Sequence, residues 1–220
     1  MKRLYLLIAV FFSLLAQSQT LTGMSGLLNI PSAEMKADGT LMMGANYLPA
    51  INQPVLGYPT GNYYVNLTFL PFVEASYKCT LLKIYGRYTN QDRGASFRLR
   101  FLKESNYLPA IAVGINDFYG TQYYLATYLV LTKHVTCMHS VCGITLGYGP
   151  DIFKRNQYRG LFGGFSLNPS FLKHVSLMGE YDSQGFNFGA GWYLFNHLYV
   201  FSMIQHLQYV AGGLAYIVYF

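Results

Sequence analysis

The run ASFRLRFL, residues 95–102, alternates strictly through Phe101. Ala95, Phe97, Leu99 and Phe101 point one way; Ser96, Arg98 and Arg100 point the other. A period of two belongs to a β-strand whose faces meet different surroundings. VEASYKCTL repeats it, with Val73, Ala75, Tyr77 and Leu81 opposite Glu74, Ser76, Lys78 and Thr80. In YYVNLTF, Tyr63, Val65, Leu67 and Phe69 oppose Tyr64, Asn66 and Thr68, while VSLMGEYD puts Ser176, Glu180 and Asp182 together. FNFGAGWYL sets Phe186, Phe188, Ala190, Trp192 and Leu194 against Asn187, two glycines and Tyr193. The chain ends on GGLAYIVYF, in which Leu214, Tyr216, Val218 and Phe220 share a face and neither face carries a charge. A soluble sandwich would hide its apolar face and wet its polar one. The alternative is a closed barrel turned inside out, with apolar residues toward lipid and polar residues toward a lumen.

Three features favour the inverted barrel. Tyr, Phe and Trp recur at strand ends, where aromatic girdles belong. Glycines crowd the inner face, where a narrow barrel needs room. The last strand closes on an aromatic carboxyl terminus, which marks Tyr216, Val218 and Phe220 as the segment offered to the outer-membrane barrel assembly machinery. Composition agrees, with 52% of residues apolar and only 11% charged, against roughly 25% charged in soluble domains. No run reaches the about 18 apolar residues of a spanning helix. The longest, Leu4 to Ala16, reads as the apolar part of a secretory signal behind Lys2 and Arg3. Ala16, Gln17 and Ser18 offer a cleavage site, and no cysteine stands nearby to carry a lipid anchor. The expected address is the outer membrane of a Gram-negative bacterium.

Twelve runs of suitable length are predicted, starting near Thr40, Asn62, Val73, Ala95, Pro109, Gln122, Val141, Gly160, His174, Phe186, Leu198 and Tyr209. An even count returns both termini to one side, the periplasmic side of such a barrel. The longest connections, AINQPVLGYPTG, KIYGRYTNQDRG and PDIFKRNQYR, then fall on the outer side, where long loops belong. The link around Cys137 is predicted to be long for the inner side. The expected organisation is a signal peptide over 1–18, an N-terminal segment over 19–39, and one all-β, antiparallel transmembrane barrel over 40–220. Periodicity leaves open whether 19–39 is an arm, a plug or an extra strand.

On the inner face lie Glu74, Lys78, Arg98, Arg100, Glu180 and Asp182. Buried charges need partners, so a lumenal ion-pair network is expected, either holding the barrel closed or guiding a polar or anionic chain. Arg87, Arg93, Lys154, Arg155 and Arg159 are assigned to the long loops as a basic rim, facing lipopolysaccharide phosphates or an acidic polysaccharide. The net charge of +6 is spread over many short segments rather than gathered on one element, and with export this argues against nucleic acid. Cys137 and Cys142, in CMHSVC, are close enough for a disulfide in an oxidising compartment, or stay as thiols. His134 and His139 add no standard zinc spacing to them, so no metal is expected. The histidines lie at run ends or in links, no serine occupies a nucleophile motif and no glycine loop suits a phosphate. No catalytic residue or cofactor is therefore expected.

GLLNIPSAEMKADGTL resembles the opening motif of the YjbH family of exopolysaccharide-associated outer-membrane proteins, on Gly26, Leu27, Leu28, Pro31, Ser32, Ala33 and Gly39. FLPFVEASYK, GINDFYGTQYY, GLFGGFSLNP and GEYDSQGFNFGAGWYLFNHLYVF are also similar to family members and follow in order along the chain. The resemblance implies an outer-membrane barrel that assists exopolysaccharide or capsule biosynthesis and export without catalysing a reaction. Its implied partners are outer-membrane lipid, lipopolysaccharide and polysaccharide export proteins. Better-known members are considerably longer, with a second barrel-like region, so a role that needs two barrels is not implied. A small-solute channel and a purely structural envelope barrel are the alternatives.

Overall fold

The computed structural model describes residues 18–52, 57–137, 140–153, 156–172 and 174–220. The expected signal segment, except for Ser18, lies outside the described residues, as do Lys154, Arg155 and His139. Among the described residues twelve strands form: β1 (Thr40–Leu48), β2 (Thr60–Phe69), β3 (Val73–Ile84), β4 (Arg87–Leu102), β5 (Ala110–Tyr119), β6 (Ala126–Cys137), β7 (Ser140–Gly149), β8 (Gly160–Pro169), β9 (Val175–Tyr181), β10 (Phe186–Leu194), β11 (Leu198–Gln205) and β12 (Tyr209–Tyr219). Each pairs antiparallel with its sequence neighbours, and β1 pairs with β12, Thr40 opposite Tyr219 and Tyr47 opposite Gly212. The sheet is a closed barrel with no free edge. Both ends of the ring meet at one place: the Phe220 amide donates to the Gly39 carbonyl at 3.0 Å.

The inside-out face pattern is present. Tyr63, Val65, Leu67 and Phe69 on β2 are exposed, whereas Tyr64, Asn66 and Thr68 are buried. On β4, Phe97 and Phe101 face out while Ser96 and Arg98 face in. On β12, Leu214 and Tyr216 face out, as does Phe220 just beyond it, and Ala215 and Ile217 pack inside. Inner aromatics lie flat across glycines on the next strand. Tyr64 stands opposite Gly44, Tyr128 opposite Gly114 and Phe162 opposite Gly147. A Cβ added at any of these glycines would enter the space of the facing ring. The glycines therefore set how much aromatic volume a barrel of this width can hold.

Three connections differ from expectation. KIYGRYTNQDRG is a hairpin rather than a loop, because Tyr85 and Gly86 adopt left-handed conformations (φ 50° and 80°) and close a two-residue turn that follows strand twist. β4 thus begins at Arg87, and both Arg87 and Arg93 belong to a strand instead of a loop. The link after Cys137 is short, since β7 resumes at Ser140; the longer one, residues 120–125, precedes β6. The β6–β7 register sets Cys142 opposite Val135 and Cys137 opposite Ser140. The two cysteines are therefore diagonal neighbours, a pairing about 7–8 Å wide, too wide for a disulfide, which wants Cα atoms within about 6.8 Å. Cys142 carries a free thiol; the Cys137 side chain lies outside the described residues.

Gly147→Val should lower the urea unfolding midpoint, through an overpacking cost of about 1–3 kcal/mol against the buried Phe162 ring. A midpoint at or above that of the parent protein would show that the ring has room to move.

Candidate functional site

The barrel interior is occupied by the chain's own N-terminal segment. Residues 18–33 are buried throughout, and so are Met35 and Lys36. The segment folds on itself in two successive reversals. Gln19 bridges to Ser25, with the Thr20 amide donating to the Met24 carbonyl at 2.9 Å, and Gly26 bridges to Pro31, with the Leu27 amide donating to the Ile30 carbonyl at 3.0 Å. Gly23 sits at φ 85° against the Tyr64 ring, a position a side chain would strain. GLLNIP is thus the second, tight reversal, and it leaves a row of backbone amides pointing at the barrel wall.

Two buried carboxylates take those amides. Glu180 on β9 accepts from the amides of Leu28, Asn29 and Ile30 at 2.9, 2.7 and 3.3 Å, and from the Asn187 side chain at 2.8 Å. Successive amides turned toward one anion form the concave nest that suits negative charge. Glu74 on β3 accepts from the Ser25 amide and hydroxyl, both at 2.8 Å, and from Asn66 Nδ2 at 2.7 Å. Its other oxygen pairs with the Arg98 guanidinium, which also donates to the carbonyls of Ser25, Ser32 and Glu34. One arginine thereby joins β4, β3 and both ends of the second reversal. Asn46 and Asn62 each donate to the Leu21 carbonyl at 2.9 Å, and Asn66 donates to that of Gly23 at 2.9 Å. Tyr158 donates to the Asn29 carbonyl at 2.6 Å, while Asn29 Nδ2 donates to Asp182 at 2.9 Å.

The expected ion-pair network is present only in part. Glu74 and Arg98 pair directly. Lys78 turns instead to Asp117 on β5, at 3.9 Å, and lies 3.9 Å from the Tyr124 ring centroid. Glu180 and Asp182 are met by amides and by Asn187, with His206 3.2 Å from Asp182, rather than by lysine or arginine. Arg100 stands apart at the rim nearest the termini, half-buried, donating to the Pro71 carbonyl. The inner charges serve the lumen segment more than one another. Of the expected basic rim, Arg87 and Arg93 project from β4 and Arg159 lies 3.7 Å from Asp151 in a loop; all three are exposed. Tyr216 and Phe220 face outward at the closing seam, with Val218 half-buried between them.

Sequence reasoning missed Asp117 and the three asparagines, although Asn46, Asn62 and Asn66 fall on the inner set of their strands. It also missed a clamp near the termini. There His134 has one ring nitrogen 2.6 Å from Glu104 Oε2 and the other 2.8 Å from Glu34 Oε1. Burial raises the Glu104 carboxyl, but the contacts from His134 outweigh it and hold it below its ordinary value. Asp182 is likewise held low despite burial, by hydrogen bonds from Asn187 and Asn29. Burial pushes the Lys36 ammonium down to about 8, against the pull of Glu74 and Glu34; it donates to the Tyr193 hydroxyl at 2.9 Å.

Arg98→Leu strands Glu74 in the interior and should cost about 3–5 kcal/mol of stability. Arg100→Leu, at the rim, should change it by no more than about 0.5 kcal/mol. Equal urea midpoints for the two variants would remove Arg98 from its central place. Glu180→Ala leaves three amides without their acceptor. Hydrogen exchange at Leu28, Asn29 and Ile30 should quicken about 10- to 100-fold; unchanged exchange would mean that the nest does not hold the segment.

A family model described as exopolysaccharide biosynthesis protein YbjH matches residues 18–190. The curated protein named uncharacterized lipoprotein YjbH, from Escherichia coli (strain K12), is 29% identical over 140 residues, covering 60% of this chain and 19% of the relative. The chain spans about a fifth of that relative's length. The family match begins at the lumen segment and takes in its anchors Glu74, Arg98 and Glu180, and the chain belongs to the YjbH family.

Proposed function

We propose that this barrel spans the outer membrane of a Gram-negative bacterium and assists export or assembly of an exopolysaccharide or capsule, without catalysing a reaction itself. The observation that carries the reading is the inversion of faces. An outer belt rich in Tyr, Phe, Leu and Val surrounds a buried polar interior with charges as deep as Glu74, Arg98 and Glu180. Water would not favour that outer surface, whereas hydrocarbon would. In this setting the outer belt takes lipid, Arg87, Arg93 and Arg159 meet lipopolysaccharide phosphates, and the outward Tyr216 and Phe220 serve the assembly machinery. Membership of a family described by exopolysaccharide biosynthesis supplies the pathway.

The interior also suits a sugar polymer chemically. Tyr64, Tyr128, Tyr158 and Tyr199 present ring faces, and Asn46, Asn62 and Asn66 present amides that both donate and accept. At present residues 18–36 fill that space, so a polymer passes only when the segment leaves; otherwise export proteins in the same envelope supply the conduit. The filled lumen favours a second reading, a structural barrel that supports a partner.

A clean deletion strain with complementation separates these readings. Loss of surface polysaccharide with accumulation in the periplasm is the expected result. Unchanged polymer in both compartments would overturn the export role. Heat-modifiable gel migration of the purified protein should accompany a membrane barrel, and a heat-insensitive protein in the soluble periplasm would overturn the membrane reading.

A further inference from the structure

The outer wall is interrupted beside the closing seam. Tyr47 on β1 stands opposite Gly212 on β12 and opposite Gly61 on β2, so an outward aromatic ring has a side-chain-free position on each flank. Leu214 and Ala45 bound the notch on one side; Pro59, Leu81 and Tyr88 bound it on the other. The result is a groove of about 500 Å³ with an almost wholly apolar lining and no carboxylate in it. That volume falls within the range of small-molecule sites, about 300–1,000 Å³. The far wall is fixed: Tyr88 donates to the Pro59 carbonyl at 2.6 Å, the Lys83 amide donates to the Tyr58 hydroxyl at 2.6 Å, and the Tyr58 and Tyr88 rings meet edge-on at 6.2 Å.

Charge lies at one end of this groove. The Lys83 ammonium stands 5.8 Å from the centroid of the Tyr88 ring that forms the wall. Arg93 stands apart from it, since it pairs with Cys79, four residues along β3 from Lys83 and about 13 Å away, with the groove-lining Leu81 between them. Arg87 is at the turn of the same hairpin, and its one acid, Asp92, faces inward and is buried. Lys83 therefore stands over an apolar slot that opens sideways.

We infer that this groove binds one acyl chain of an anionic lipid, whose phosphate is taken by Lys83. The assignment rests on the membrane reading above, since a chain reaches a lateral groove only from within the bilayer. An acyl tail matches the apolar slot, and the Lys83 cation at its mouth selects a negative head. Each basic group near a membrane surface enriches anionic lipid about fivefold.

Tryptophan quenching by brominated lipid tests it. In a Trp192→Phe background, Tyr47→Trp reports on the groove and Leu131→Trp on the exposed outer face of β6. In bilayers of phosphatidylcholine with a minor fraction of brominated phosphatidylglycerol, the groove tryptophan should be quenched as if that lipid were enriched about fivefold. The β6 tryptophan should follow the bulk fraction. Lys83→Glu should abolish the excess, and so should Gly61→Leu, which fills the notch; a Cβ there meets only the Asn46 carbonyl oxygen, at 3.4 Å. Equal quenching at both positions, or equal excess with brominated phosphatidylcholine, would overturn the site while leaving the barrel in its membrane. No quenching at either position would overturn the membrane reading and the site with it.

Discussion

Carboxylates buried in a protein demand hydrogen-bond donors, and the interior of this barrel is organised by that demand. Glu74 and Glu180 sit on strands on opposite sides of the sequence, each fully buried. A cation next to each would have satisfied them, but among the described residues only Glu74 has one. The rest is supplied by the Asn66 and Asn187 side chains and by the backbone amides of Ser25, Leu28, Asn29 and Ile30, which are bent into position by two reversals of the lumen segment. The dependence is mutual. A loop placed inside a barrel carries amides that the wall, already paired strand to strand, cannot satisfy through its own backbone. Carboxylates and asparagine side chains reaching inward are what let such a segment stay there.

Arg98 shows how the two needs are met by few residues. Its planar group offers five donors in a fixed fork. It makes four hydrogen bonds, to one carboxylate and to three carbonyls from residues 25, 32 and 34. A lysine could supply the charge but not the spread. The deep interior is accordingly rigid where Arg98 and Glu180 act. It is more loosely paired where Lys78 reaches Asp117 at 3.9 Å and one oxygen each of Asp92 and Asp117 lacks a hydrogen bond.

Much of this architecture was legible in the alternation of side chains. The inward set of β2, β3, β4 and β9 could be read residue by residue, because a strand assigns every second side chain to one face. Most strand starts follow from the same rule. What alternation does not encode is whether an inward charge meets a neighbouring strand or something threaded between strands. Lys78 and Glu74 share a face on β3, yet one turns to β5 and the other to residue 25. The lumen segment itself has no period of two or 3.6, and its reversals depend on Gly23, Gly26 and Pro31 acting together with the wall. The extended β3–β4 hairpin was also hidden, since KIYGRYTNQDRG is polar enough to pass for a loop, and only the left-handed pair Tyr85–Gly86 joins the strands tightly.

The seam between β1 and β12 joins residues 40 and 219, near the two ends of the barrel sequence. Every other strand pair is adjacent in sequence, so it can form through a short loop closure. The seam is then the pairing that entropy delays most. The lumen segment leads directly into β1 through Gly39, while its anchors are spread over β3, β4 and β9. An open, curled sheet already displays those anchors before its edges meet. The order that follows is one in which the chain lays its beginning across the inner face first and closes the wall over it last, so that the barrel is packed before it is shut.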